Sequence, residues 1–177
     1  MKIDALPIRN RTTRVAVGSV PKDGGTFTFY RTLRPALRRH GVEMFCVSLG
    51  RKEAALWQQE LADDGCVLLA AESKGLKRQA QVFAAWCEEK DIDIVIGINS
   101  AGILASLPHL PERVRAIARC ANGFDHGYRI TLICHQRLAR IVARTPRLQR
   151  GLSLQEGRMS RRLVTHQAIT DFPKSGQ

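Results

Sequence analysis

The sequence predicts an α/β domain in which about six parallel strands form a doubly wound sheet with helices on both faces. Three observations predict it. From Arg14 onward, short apolar runs rich in β-branched residues alternate with stretches of helical period, the alternation that produces parallel sheets with crossover helices. Runs such as Ile94-Val95-Ile96 are continuously apolar, as strands covered on both faces are. Paired glycines or small polar residues follow several of the runs, as they do where a strand turns into a helix.

Taken in order, the strands fall at Arg14–Val20, Val42–Leu49, Cys66–Ala71, Ile92–Ile98, Val114–Cys120 and Ile130–Cys134. The first helix runs from Thr26 to His40 and is closed by Gly41, with Pro35 inside it as a kink or a second start. A second helix, Glu53 to Asp64, aligns Trp57 with Leu61 and ends before Gly65. The segment Leu76 to Lys90 sets Leu76, Ala80, Phe83, Ala84 and Cys87 on one face, the clearest helical stripe in the chain. The last helix starts at Gln136 and breaks near Pro146. Right-handed crossovers wind these strands into an open, Rossmann-like sheet over residues 14–150. Residues 1–13 form an N-terminal extension, and residues 151–177, where apolar positions become sparse, form a weakly ordered tail or a short helix.

Composition narrows the class. With 177 residues, 44% of them hydrophobic, the chain is long enough for one core. Its five cysteines are odd in number and lack CxxC spacing, so they read as free thiols in a reducing cytoplasm. Met1 to Thr13 holds no apolar stretch of signal-peptide length. Residues 94–111 carry no charge, but Asn99, Ser100 and Pro108 interrupt them, so they form a strand and a short helix instead of a membrane span. The formal charge of +12 is concentrated in residues 1–50 and 101–150, on either side of an acidic stretch. Such a surface attracts anionic lipid, phosphorylated substrates or nucleic acid. A polyanion-binding or nucleic-acid-binding module is the alternative function, but aromatics make up only 6% of the chain. A base-stacking platform is hard to assemble from so few, and nucleic acid is an unlikely partner.

In an open parallel sheet, ligands bind beyond the carboxyl ends of the strands, so the residues there are the candidates. After the first strand come Lys22, Asp23, Gly24, Gly25 and Thr26, where two glycines allow close backbone approach and the helix start offers N–H groups to an anion. The spacing matches neither a Walker loop nor a dinucleotide fingerprint, and an ordinary tight turn also fits. After the fourth strand stand Asn99 and Ser100, rim residues or simple helix caps. After the fifth lies Asn122-Gly123-Phe124-Asp125-His126, in which Asp125 is placed to orient His126, or else His126 is a surface residue. His135 is a capping or packing residue. Arg137, Arg140 and Arg144 share one face of the predicted last helix, and Arg31, Arg34 and Arg38 repeat the spacing on the first. These stripes either meet anionic headgroups or are solvated. No combination of His, Cys, Asp and Glu has metal spacing, and no Gly-x-Ser-x-Gly elbow occurs.

The order of these features resembles the start of family 4 glycosyltransferases. The resemblance rests on Arg14-Val15-Ala16-Val17 through Gly24-Gly25, Leu37-Arg38-Arg39-His40-Gly41-Val42-Glu43, Ile92-Asp93-Ile94-Val95-Ile96, Ala118-Arg119-Cys120-Ala121-Asn122, and Ala139 through Leu148. It implies the acceptor-side half of a two-domain, retaining GT-B enzyme that moves a sugar from a nucleotide-sugar co-substrate to a glycan or lipid-linked acceptor. It implies no other cofactor and a cytoplasmic location, peripheral on the inner face of the membrane. Gly24 and Gly25 match the loop that approaches the donor phosphates. Where the family often carries a histidine after the fifth strand, this chain has Asn122, with His126 four residues on. Both remain candidates. No donor-binding half follows Arg150, so the chain by itself is expected to be inactive.

Overall fold

The computed structural model describes residues 11–19, 25–50, 62, 64–70, 72, 75–155 and 164–166. Seven strands form one sheet in the order β3-β2-β1-β4-β5-β6-β7, and all neighbours are parallel. The strands are β1 (Thr13–Gly18), β2 (Val42–Leu49), β3 (Cys66–Leu69), β4 (Ile94–Ile98), β5 (Arg115–Cys120), β6 (Leu138–Ala143) and β7 (Val164–His166). The winding direction reverses between β1 and β4, the switch point at which doubly wound sheets bind ligands. The helices are α1 (Gly25–Arg38), α2 (Leu76–Glu89), α3 (Ala101–Ala105), α4 (Asp125–Thr131) and α5 (Pro146–Gln155).

Two apolar clusters hold the layers together. On one face, Phe27 and Tyr30 of α1 pack with Val15, Val17, Met44, Cys46 and Ile98. On the other, Phe83, Trp86 and Cys87 of α2, Ile103 and Leu104 of α3, Tyr128 of α4, and Leu148 and Leu152 of α5 cover Ala16, Val95, Ala118 and Ile141. Tyr30 also donates its hydroxyl to the carbonyls of Met44 and Asp64, which ties α1 to β2 and to the turn before β3. At the amino edge, Arg11 pairs with Asp91 at 2.7 Å and Asp93 at 2.6 Å. The segment just before β1 is thereby bound to the domain.

The expected doubly wound sheet is present, and the first five strands lie where the apolar runs place them. Helix α1 continues through Pro35. The uncharged stretch is β4, α3 and a 3-10 turn at Leu107–His109. The helix expected over 53–64 lies almost wholly outside the described residues.

The sixth strand is a correction. Residues 130–134 finish α4 and turn, with Thr131 Oγ1 donating back to the Gly127 carbonyl at 2.8 Å and Cys134 in the left-handed region. The strand is instead Leu138–Ala143, where a last helix was expected. The cause is a bulge: Ala116 opposes Leu138, but Ile117 opposes Arg140, so Ala139 is an extra residue. It puts buried Leu138 and Ile141 three positions apart on one face and so imitates a helical period. Pro146 opens α5 instead of breaking a helix, and the Thr145 hydroxyl caps it by accepting from the Leu148 N–H at 3.2 Å. Within residues 151–177, expected as a weakly ordered tail or a short helix, the described residues supply the end of α5 and the edge strand β7. Three residues of strand are too few to leave a readable pattern.

Two glycines decide where α3 sits. Gly18 and Gly97 are partners across β1 and β4. A Cβ on Gly18 would lie 2.6 Å from Ile103 Cγ1, and one on Gly97 would lie 2.5 Å from Leu104 Cδ2. Gly97→Ala should therefore destabilise the fold by about 1–3 kcal/mol, the cost of overpacking, as read by urea denaturation.

Burial also pushes the Cys87 thiol up to about 12, partly opposed by the Arg113 charge. The native state then keeps a proton that the unfolded chain loses near 9, so this contribution is present below pH 9 and is lost as pH rises towards 12. The slope is at most about 1.4 kcal/mol per pH unit for one thiol. Cys87→Ala should fall less steeply over that window in pH-dependent denaturation.

Candidate carboxyl-rim binding site

Because every strand runs the same way, the carboxyl ends of the strands lie along one edge of the sheet. Within it, Gly25 and Thr26 open α1 beyond β1, Asn99 and Ser100 link β4 to α3, Asn122 to His126 link β5 to α4, and Arg144 follows β6. The polar side-chain atoms along this edge have an unusual property. Among the described residues, every buried side-chain nitrogen or oxygen without a hydrogen-bond partner lies here: Ser48 Oγ, Asn99 Oδ1, Arg119 Nε and Nη1, and Asn122 Oδ1. Ser48 and Arg119 are the penultimate residues of β2 and β5, while Asn99 and Asn122 follow β4 and β5 directly or by one residue. Buried polar groups in folded proteins are almost always paired, so a row of unpaired ones marks a place shaped for a polar ligand.

The rim gathers some of the expected residues and leaves others apart. Lys22, Asp23 and Gly24 lie outside the described residues. Gly25 begins α1, and the position its Cβ would take is 3.8 Å from Arg144 Nη1. Asn99 stands at φ +48°, and Ser100 occupies the cap position of α3 without a side-chain capping bond. Asn122 is half-buried and turned toward α4, where a Cβ on Gly127 would lie 1.7 Å from its Oδ1. Asp125 and His126 are exposed in the first turn of α4, and among the described residues no hydrogen bond or ion pair joins them. Consecutive helical residues point about 100° apart, so the expected orienting contact does not form. His135 takes the packing role, with Nδ1 3.3 Å from the Leu132 carbonyl.

The shared arginine face is a correction, since a strand with a bulge replaces the helix that would have aligned it. Arg137 is committed inward: Nε donates to the Leu107 carbonyl at 3.2 Å and Nη2 to the Leu110 carbonyl at 3.2 Å. Arg140 is exposed and donates to the Ala139 carbonyl at 2.8 Å. Only Arg144 reaches the rim. The stripe on α1 lines a separate open depression of about 510 Å³, where Arg31, Arg38 and Arg39 surround the 3.8 Å Arg34–Asp64 pair.

One residue escaped the reading of the sequence. Arg119 is only 3% exposed, and its guanidinium carbon lies 4.4 Å over the ring of Phe29 in α1. Burial, reinforced by the Arg144 charge, lowers its pKa to about 10. The signal was present as a lone arginine inside the apolar run Ala116-Ile117-Ala118-Arg119-Cys120. Among the described residues, no three His, Cys, Asp or Glu side chains gather as a metal site, and no helix is long and apolar enough to cross a membrane.

The strand order and the switch point define a Rossmann-like α/β domain. Among solved structures it is similar to UDP-N-acetylglucosamine 2-epimerase from Rickettsia bellii, at 14% identity over 82% of this chain with a TM-score of 0.55. It is also similar to UDP-GlcNAc 2-epimerase from Methanocaldococcus jannaschii, at 10% identity over 82% of the chain with a TM-score of 0.53. These are GT-B-type folds, and the chain spans 42% of the length of each. No family model matches the sequence, and no curated protein matches it.

Arg137 permits a direct check of its inward role. Its bonds tie β6 to the carbonyls that close the α3 segment, a favourable place for a cation. Arg137→Ala should lower stability by roughly 1–3 kcal/mol in chemical denaturation and leave binding at the rim unchanged in calorimetry.

Proposed function

We propose that this chain is the acceptor-side half of a GT-B glycosyltransferase of the family 4 type. It would move a sugar from a nucleotide-sugar donor, with retention, to a glycan or lipid-linked acceptor. The observation that carries the reading is the row of unpaired buried polar atoms along the carboxyl rim at the switch point. A saccharide presents many hydroxyls that donate and accept, and Ser48, Asn99 and Asn122 offer oxygens that lack donors. The GT-B-type fold of the structural neighbours supports the same reading.

Roles within the rim follow from chemistry. Asn122 has an amide that cannot take a proton near neutral pH, so its part is to hold an acceptor hydroxyl in place. His126, exposed at the start of α4, is the nearby group able to accept the proton that hydroxyl loses. Stabilisation of the leaving diphosphate falls to basic groups of a donor-binding half. On this reading the domain works in the cytoplasm, peripheral to the membrane.

Isothermal calorimetry with nucleotide sugars and with phosphorylated or lipid-linked saccharides tests this. The saccharide acceptors should bind, and the free nucleotide sugars should bind about tenfold or more weakly, a gap of roughly 1.4 kcal/mol. Tight binding of a nicotinamide dinucleotide would reject the reading. So would RNA binding that falls steeply with salt and shows no saccharide preference.

A further inference from the structure

Arg119 presents a problem that the rest of the fold does not solve. Its guanidinium is buried beneath α1, and Nε and Nη1 have no acceptor. The charges that act on it are the Arg144 guanidinium, which repels it, and the weak Cys120 thiol. A buried cation without a counter-charge is a costly thing to keep. The Phe29 ring holds the guanidinium by one face, 4.4 Å from its centre, and this arrangement leaves the in-plane N–H groups free to donate. Arg144 extends from the end of β6 to within 3.8 Å of the Gly25 Cβ position. It is exposed and makes no hydrogen bond or ion pair among the described residues. Gly25 opens a fourteen-residue helix with no acidic side chain in its first turn, so the helix dipole there adds to the same positive field.

We propose that Arg119, Arg144 and the amino end of α1 form a binding site for a phosphate group of the acceptor. The reading rests on the acceptor-side assignment above. Two guanidinium groups and a helix terminus converge from β5, β6 and α1, and among the described residues neither arginine pairs with a carboxylate. A phosphate oxyanion supplies the missing acceptors, and its negative charge removes the repulsion between the two arginines. A neutral sugar would leave both charges uncompensated.

The test uses the full chain, thermal denaturation and calorimetry, with inorganic phosphate, a hexose 1-phosphate and phosphatidylglycerol vesicles as probes. Sodium chloride at equal ionic strength is the control. Inorganic phosphate and the hexose 1-phosphate should raise the Tm of the wild type while chloride does not. Arg144→Ala should weaken phosphate binding about tenfold or more. Arg119→Met should abolish the phosphate-dependent shift and raise the Tm measured without ligand, because it removes an uncompensated buried charge and keeps the volume.

If the phosphate belongs to a lipid headgroup, the vesicles should compete with inorganic phosphate for the same arginines. If it belongs to a soluble substrate, they should not. Equal phosphate stabilisation of the wild type and Arg119→Met would reduce the effect to net charge and overturn the site, as would no stabilisation of either. Binding of neutral glycans without phosphate binding would sink this site and leave the acceptor-side reading intact. Phosphate binding at these arginines without any saccharide affinity would do the reverse.

Discussion

The architecture depends on one close approach, that of α3 to the pair of glycines on β1 and β4. Gly18 and Gly97 are neighbours across the two central strands, and Ile103 and Leu104 occupy the space that side chains there would fill. The five-residue α3 can therefore lie directly on the sheet at its switch point. A longer or more distant helix would open the cleft. The ends of β1 and β4 are held against the start of α3 as a result, and α4 and α5 add Tyr128, Leu148 and Leu152 to the same core. The rim inherits its spacing from that contact.

Around this centre, packing and binding divide the polar residues in a consistent way. Charged groups at the amino edge of the sheet are paired: Arg11 with Asp91 and Asp93, Arg113 with Asp91, and Arg14 with Glu43. Arg137 answers to backbone carbonyls. The unsatisfied groups collect at the opposite edge. Among the described residues the unpaired buried polar atoms gather in one region, by the switch point where a wound sheet offers space for a ligand.

Much of this organisation was legible in the residues. Strands β1 to β5 follow from continuous apolar runs, because a strand covered on both faces needs little else. The stripe of Ala80, Phe83 and Cys87 identifies α2 because amphipathic burial enforces its period. Strand β6 was concealed by the bulge at Ala139, which lends it the spacing of a helix and drew three arginines into a face they do not share. Asn99, Asn122 and Gly25 were expected beyond the strand ends, and they lie there in the fold. Arg119 was not, because a charge inside a strand shows its meaning only when the burial and lack of partners around it are known. The Asp125 and His126 pairing failed for a local reason, since α4 begins at Asp125 and turns the two side chains apart.

The extra residue in β6 also works as a phase shifter. Before it, Leu138 faces the α3 segment and is anchored by the neighbouring Arg137 clamp; after it, Ile141 and Ala143 face the same layer while Arg140 looks away. Side chains alternate strictly along a regular strand, so if the same residues paired without the bulge everything beyond Ala139 would exchange sides. Ile141 would be carried out of the core, and the guanidinium of Arg144 would leave the mouth of the cleft for the far side of the sheet. In this chain the bulge at a single alanine thus sets the side of the sheet from which Arg144 emerges.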